Sequence, residues 1–390
     1  MTVTIGRREL LAALGGAAAA WPLAARAQQT GMPVIGLLTS WTPGDSPQLL
    51  AAWRQGLKEG GFIEGQNVAI EYRLAGHKNE RLPALAADLV HRQVTVIATA
   101  STPAALAAKA ATTTIPIVFE IGTDPVKLGL ITSLNRPGGN VTGVTNLSLE
   151  VTPKRLELLH ELLPTVRVMA LLVNPTEHAN AETTIRDLEA TAHGLGLELH
   201  VLNASTERDF DAVFAKLIQL RAGGLVIGAS PFLVARQEQL AALAVRHAVP
   251  AVFEYREFVA AGGLMSYGGA ITDAYRLAGG YAARVLKGEK PANLPVQQVT
   301  KVEFYINLKS AKALGITVPL PLSGRADELI ELKGARSSRC SAARPPRGRL
   351  QRTRSSPAKS IASDFWRMIR PSRCSPRDKL SSMDCARADS

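Results

Sequence analysis

Residues 97–110 read IATASTPAALAAKA. An apolar, strand-like run stops at Ser101-Thr102-Pro103 and passes at once into an alanine-rich helical pattern. A hydroxyl residue ahead of a proline at the first helical position marks a helix start. A helix that begins directly off a strand points its free backbone N–H groups over the strand end. The same alternation recurs along the chain. Short apolar runs at 33–38, 68–73, 94–99, 115–120 and 140–145 are followed by a second series at 166–173, 197–202, 223–229 and 249–255. Helical patterns fall between them, at 47–60, 79–92, 152–163, 178–193, 206–221, 231–247 and 272–287. The strands are continuous apolar runs, so both faces are buried and the sheets are parallel and doubly wound. Two series joined near RPGGNVTG (136–143) predict an α/β protein of two similar lobes rather than one large sheet. The first lobe is expected over 33–146 with 262–296, and the second over 147–261 with 297–332.

Charge is distributed unevenly. The 390-residue chain carries a formal net charge of +12. Residues 333–390 hold 15 Lys/Arg against 4 Asp/Glu, and the first 27 residues hold 3 Arg against 1 Glu. The body, 28–332, therefore has 27 basic and 28 acidic residues and is close to neutral. Nucleic acid is not an expected partner of such a body. All three cysteines (Cys340, Cys374, Cys385) lie in the basic extension, so the body has neither thiolate chemistry nor cysteine-bound zinc.

At the start, Arg7-Arg8 precede an apolar stretch, Leu10–Ala25, that closes on Ala25-Arg26-Ala27. A charged segment, a short apolar core and an A-x-A site make a signal peptide over 1–27. GRRELL is twin-arginine-like, and a Sec signal fits nearly as well. The apolar stretch is short of the roughly 20 residues that cross a bilayer. The mature chain is thus expected outside the inner membrane, in the periplasm, without membrane insertion; it is also expected to be a monomer. Its 333–390 extension, rich in Ser, Arg and Pro, is expected to be disordered and to add no packed core.

Ligands of open α/β sheets bind beyond the carboxyl ends of the strands. Those positions hold Ser40-Trp41, Ser101-Thr102, Gly122-Thr123-Asp124, Asn174-Pro175, Ser230-Pro231-Phe232 and Glu254-Tyr255, with Tyr267 at a later apolar run. The expected ligand-binding set is Ser40, Trp41, Ser101, Thr102, Thr123, Asp124, Asn174, Ser230, Phe232, Tyr255 and Tyr267. The pairs TP (102–103), DP (124–125), NP (174–175) and SP (230–231) equally suit plain helix capping. On the ligand reading, an anionic group sits over STPAAL, held by the amides of Thr102, Ala104 and Ala105 and the hydroxyls of Ser101 and Thr102. Asp124 then either faces the ligand's ammonium or caps its own helix. The rings of Trp41, Phe232, Tyr255 and Tyr267 either favour an aromatic or branched apolar ligand or serve lobe packing.

Catalytic patterns are missing. The chain has no G-x-x-x-x-G-K-[ST], and GLGLEL (194–199) fails the dinucleotide fingerprint at its last glycine. GLMSYGG (263–269) has Leu264 where a nucleophile elbow needs glycine. The seven histidines show no metal-ligand spacing, and neither Glu254 nor Glu257 is marked as half of a catalytic pair. No enzyme activity, cofactor or metal is expected.

Four long segments carry a resemblance: TPAALAAKAATTTIPIVFEIGTDPVKLGLITSLNRPGGNVTG (102–143), RLELLHELLP (155–164), EFVAAGGLMSYG (257–268) and PVQQVTKVEFYINLKSAKALGITVP (295–319). They resemble ABC-transporter substrate-binding proteins, the periplasmic receptors related to tryptophan- and tyrosine-binding transport proteins. The leader LGGAAAAWPLAARAQQ (14–29) is similar too. The resemblance covers about 30–332 and departs in detail, as at Val299, where the family commonly has proline. It implies a type I periplasmic-binding fold of two Rossmann-like lobes, with a hinge of three crossings and a small-molecule ligand clamped in the cleft between the lobes. The implied partner is an inner-membrane ABC permease; a sensory module reporting to a membrane receptor is the other reading. The extension beyond RADELIE (325–331) is not a family feature.

Overall fold

The strand and helix read from residues 97–110 are β3 (Val96–Ala100) and α3 (Thr102–Ala111). They belong to a computed structural model that describes residues 31–146 and 148–330. The expected signal peptide and the basic extension lie outside the described residues.

Around β3 stand β1 (Val34–Thr39), β2 (Ala69–Leu74), β4 (Ile117–Ile121), β5 (Val141–Thr145) and the short β11 (Gln297–Gln298). They form one six-stranded sheet in the order β11-β5-β4-β3-β1-β2, and every pairing in it is parallel. The second sheet contains β6 (Val168–Val173), β7 (Glu198–Asn203), β8 (Gly224–Ile227), β9 (Ala251–Phe253), β10 (Met265–Gly269), β12 (Val302–Asn307) and β13 (Glu328–Ile330). Its order is β13-β12-β10-β9-β8-β6-β7, with β12 antiparallel to β10. The apolar runs are buried on both faces, as parallel strands under helices must be. In β1, Ile35 and Leu37 join one core cluster and Leu38 another. In β6, Ala170 and Leu172 face one cluster while Met169, Leu171 and Val173 face the other.

Three segments link the sheets. The chain leaves β5 at Asn146 for α4 (Thr152–Leu162), returns after β10 through Ala270 into α10 (Ile271–Leu286), and crosses again between β11 and β12. The expected division placed 262–296 wholly with the first lobe and 297–332 wholly with the second. Instead β10 lies in the second sheet and β11 in the first, because β10 pairs with both β9 and β12 while β11 pairs with β5. The helical pattern at 231–247 is also two helices, α7 (Pro231–Ala235) and α8 (Gln237–Arg246), broken at Arg236.

Helix α10 returns to the first lobe and lies against α1 (Pro47–Glu59) with two glycines at the contact. A Cβ on Gly279 would strike the Trp53 carbonyl, and one on Gly56 would strike the carbonyl of Arg276. Backbone lies against backbone here, so neither position can make room. We expect Gly279→Ala to cost about 1–3 kcal/mol, read as a fall of several degrees in calorimetric Tm. Gly280→Ala is the control. A Cβ there meets nothing closer than 4.0 Å, so the exchange should be neutral or stabilising. Equal effects from the two variants would refute the close-approach account.

Candidate functional site

The carboxyl ends of the two sheets face each other across a cavity open to solvent, with about 480 Å3 of empty space, open solvent included. The first lobe and its returning helix contribute Trp41, Ser101, Thr102, Glu120, Gly122, Asn146 and Tyr275; the second contributes Ser148, Asn180, Ser230, Glu254 and Tyr255. Apolar walls come from Leu49, Leu149, Val234 and Ile271.

Five of the eleven expected ligand residues line this cavity: Trp41, Ser101, Thr102, Ser230 and Tyr255. The other six lie behind it or serve local structure. Ser40 bonds Asn79 Oδ1 at 2.8 Å and Ser101 Oγ at 3.1 Å. Thr123 shares a 2.8 Å hydroxyl contact with Thr102. The Asp124 carboxylate accepts the amides of Val126 and Lys127, so it closes its own turn. No helix follows it, and none follows Asn174-Pro175 directly either. Asn174 donates to Glu177 and to Ser230 behind the cavity wall. Phe232 is buried between Phe210 and His77, and Tyr267 packs edge-on against Phe304. Lobe packing therefore accounts for two of the four rings, while Trp41 and Tyr255 line the cavity.

The start of α3 is more self-contained than an anion site needs. Ser101 caps the helix, accepting the Ala104 amide at its Oγ, 3.3 Å, and the Ala105 amide at its carbonyl, 3.0 Å. Two of the three expected backbone donors are thus taken by the cap. The third, the Thr102 amide, is not used by the Ser101 cap, and the helix dipole adds a partial positive charge at the same end.

The charged groups of the cavity are carboxylates that the strand-end reading did not select. Glu120, at β4, is 5% exposed, and Glu254, just past β9, is 2% exposed. Asn146 donates to Glu120 at 3.0 Å and lies 3.4 Å from the Tyr255 hydroxyl. Burial pushes the Glu120 carboxyl up to about 8; bonds from Tyr275 and Asn146 oppose this, and the charge of Glu254 adds to it. Burial raises Glu254 too, but the Arg155 guanidinium, 3.8 Å away and fully buried, favours its charged form. Arg155, on α4, also donates to the carbonyls of Tyr267 and Ser148 and to the Thr152 hydroxyl. One oxygen of Glu254, Oε2, has no hydrogen-bond partner among the described residues. A cation seated here would draw Glu120 into its ionised form. Sequence offered one signal for this pair: Val-Phe-Glu occurs at both 118–120 and 252–254, each time ending an apolar run. Tyr275 had none. It enters from α10 and stacks on Trp41, ring centres 5.7 Å apart.

At the rim the lobes are tied together. Arg236, at the break between α7 and α8, reaches Asp45 of the first lobe at 3.0 Å and Glu207 of its own at 2.5 Å. Asp45 also accepts from the Thr42 amide, 2.7 Å, and His77 Nε2 stands 2.8 Å from the same carboxylate. Burial works against the Asp45 charge, but the bonds from His77, Thr42 and Arg236 hold its carboxyl well below the usual range. His77 in turn stands edge-on to Phe232 of the second lobe. Among the described residues no group of three or more His, Cys, Asp or Glu is placed to hold a metal ion. None of their helices is long and apolar enough to cross a membrane.

The sequence profile of the ABC transporter substrate binding protein family matches residues 48–330. A tyrosine-binding protein of Clostridioides difficile strain R20291 is 28% identical over 259 residues, which is 66% of this chain and 74% of that protein. The structure is similar to that of a conserved domain protein from Vibrio cholerae, with TM-score 0.68 and 28% identity over 77% of this chain and all of the other. It is also similar to an ABC domain from Streptococcus pneumoniae solved with L-Trp. There the TM-score is 0.64 at 24% identity, over 76% of this chain and all of the other, a likeness of fold.

Two outcomes follow from the geometry. Glu120 and Glu177 (the latter pushed to about 7 by burial) both titrate above the ordinary 4.5. Between pH 4.5 and 8 the folded chain therefore holds protons that the unfolded chain has lost, and stability falls as pH rises. The Tm of the ligand-free protein should decline from pH 5 to pH 8, and Glu120→Gln should flatten that decline; a parallel curve for the variant would exclude Glu120 as its source. At the rim, Arg236→Ala should speed ligand release about tenfold, as loss of one partner of a charge pair acts mainly on dissociation. Stopped-flow displacement reads this directly, and an unchanged rate would mean that the rim contact does not hold the lobes together.

Proposed function

The chain belongs to the ABC transporter substrate-binding protein family, and on that footing we propose that it captures a free amino acid between its lobes and delivers it to an inner-membrane ABC permease. Proteins of this family bind small solutes outside the cytoplasmic membrane, and the fold is of the type I periplasmic-binding kind. The observation that carries the amino-acid reading is that Glu120 and Glu254, from opposite lobes, line one cavity with Trp41, Tyr255 and Tyr275. Buried carboxylates beside aromatic rings and aliphatic walls suit a cationic nitrogen on an apolar body. The tyrosine-binding relative supports the same class.

In this reading the ligand's ammonium lies between Glu120 and Glu254, and its carboxylate is left the start of α3, where Ser101, Thr102 and the helix dipole face the cavity. A ligand that touches both lobes stabilises the closed form by its differential contacts, and the permease reads that form. Turnover is not part of this role. The remaining finer points are proposals of the same kind: a monomer, exported to the periplasm by a twin-arginine-like or Sec signal.

A thermal-shift screen of the twenty amino acids, their amines and a set of polyols tests the class. An aromatic or branched amino acid should raise Tm. Calorimetry with its methyl ester should then show at least tenfold weaker binding, the equivalent of about 1.4 kcal/mol. A polyol that binds tightly while amino acids give no shift would overturn the reading.

A further inference from the structure

On the second lobe the cavity wall includes Asn180, in the first turn of α5 (His178–Gly194). The residue is 7% exposed. Its amino nitrogen donates to Glu177 Oε2 at 3.3 Å, and the other Glu177 oxygen accepts from Ser230 at 2.6 Å and from Asn174 at 3.2 Å. Three donors thus hold one buried carboxylate, and that carboxylate holds the orientation of the Asn180 amide. With its nitrogen turned to Glu177, Asn180 keeps its carbonyl oxygen, Oδ1, which is buried without a partner among the described residues. A buried acceptor left unpaired is unfavourable unless something reaches it. Here it borders the ligand cavity.

The placement separates it from the carboxylates. Glu254 follows β9, Ser230 follows β8 and Asn174 follows β6, and the sheet runs β9-β8-β6. At the usual strand spacing the carboxyl ends of β6 and β9 stand about 10 Å apart, and Asn180 lies on α5, the helix that follows β6. A single ammonium cannot bridge those two strand ends. The stacked Trp41 and Tyr275 rings and Tyr255 give the same cavity aromatic walls.

We propose that Asn180 is the specificity-determining residue of this site: its carbonyl oxygen accepts a hydrogen bond from an O–H or N–H at the far end of an aromatic amino-acid side chain. This rests on the amino-acid reading given above and deepens it. Glu177 is a positioning residue that acts through Asn180. Side chains of equal shape without a terminal donor leave the oxygen unpaired and bind more weakly.

Calorimetry with two isosteric pairs tests the assignment: L-tyrosine against L-phenylalanine, and L-tryptophan against benzothienylalanine, in which sulfur replaces the indole N–H. In at least one pair the donor-bearing amino acid should bind about tenfold or more tightly than its partner. Asn180→Leu should remove that difference by weakening the donor-bearing member while leaving the other within about twofold. If the variant does not fold, the wild-type pairs decide alone. Equal affinities within both pairs, or a preference that survives Asn180→Leu, would overturn the assignment while the amino-acid reading stands. No binding of any of the four would overturn both.

Discussion

The fully buried guanidinium of Arg155 is the contact on which the site depends. It sits on the first helix after the chain leaves β5, and it reaches back to the Ser148 carbonyl in the crossing segment, forward to the Tyr267 carbonyl in β10, and across to Glu254 past β9. One side chain thus ties a crossing segment and two neighbouring strands of the second sheet to one another. A buried arginine is tolerated only when its donors are met and its charge is answered. Both conditions hold, and the answering charge is a cavity carboxylate. Structural and ligand-facing roles are therefore joined in one ion pair.

The charge state of the cavity follows from that pairing. Arg155 supports the ionised form of Glu254, while Glu120, with only hydrogen bonds from Tyr275 and Asn146 and a carboxylate opposite, is pushed toward its neutral form. The ligand-free cavity can so remain close to electrically neutral without giving up two potential anions. A cationic nitrogen supplies what Glu120 lacks, a second positive charge. The same physics that makes two buried carboxylates unfavourable in the free protein would favour a cation between them.

Helix capping and ligand contact compete for the same atoms, and the outcome differs among the four proline-marked strand ends. At Ser101 the side chain caps its helix and also lines the cavity. At Asp124 the carboxylate closes a local turn. At Ser230 the hydroxyl makes no cap bond; it donates instead to Glu177 across the wall. Asn174 supports that same glutamate. A short polar residue before proline has one local signature and several possible partners, so the pattern located the strand ends without telling which of them face a ligand.

Local and periodic information was enough for the nine strands that precede position 256, for their parallel pairing and for the two-lobed plan, because burial on both faces leaves a direct mark on the residues of a strand. It was also enough to bring Trp41, Ser101, Thr102, Ser230 and Tyr255 to the cleft, since strand ends are read from the same pattern. Glu120 and Glu254 were visible as a repeated Val-Phe-Glu, but a carboxylate ending an apolar run does not announce whether it meets solvent, a lysine or a second carboxylate. Only the tertiary structure decided that these two line one cavity, that Tyr275 returns from α10 to stack on Trp41, that β10 and β11 exchange lobes, and that Asn180 keeps an oxygen without a partner among the described residues. Each of these depends on contacts between residues far apart in the chain, and such contacts are set by how the helices and sheets pack rather than by any pattern within a single segment.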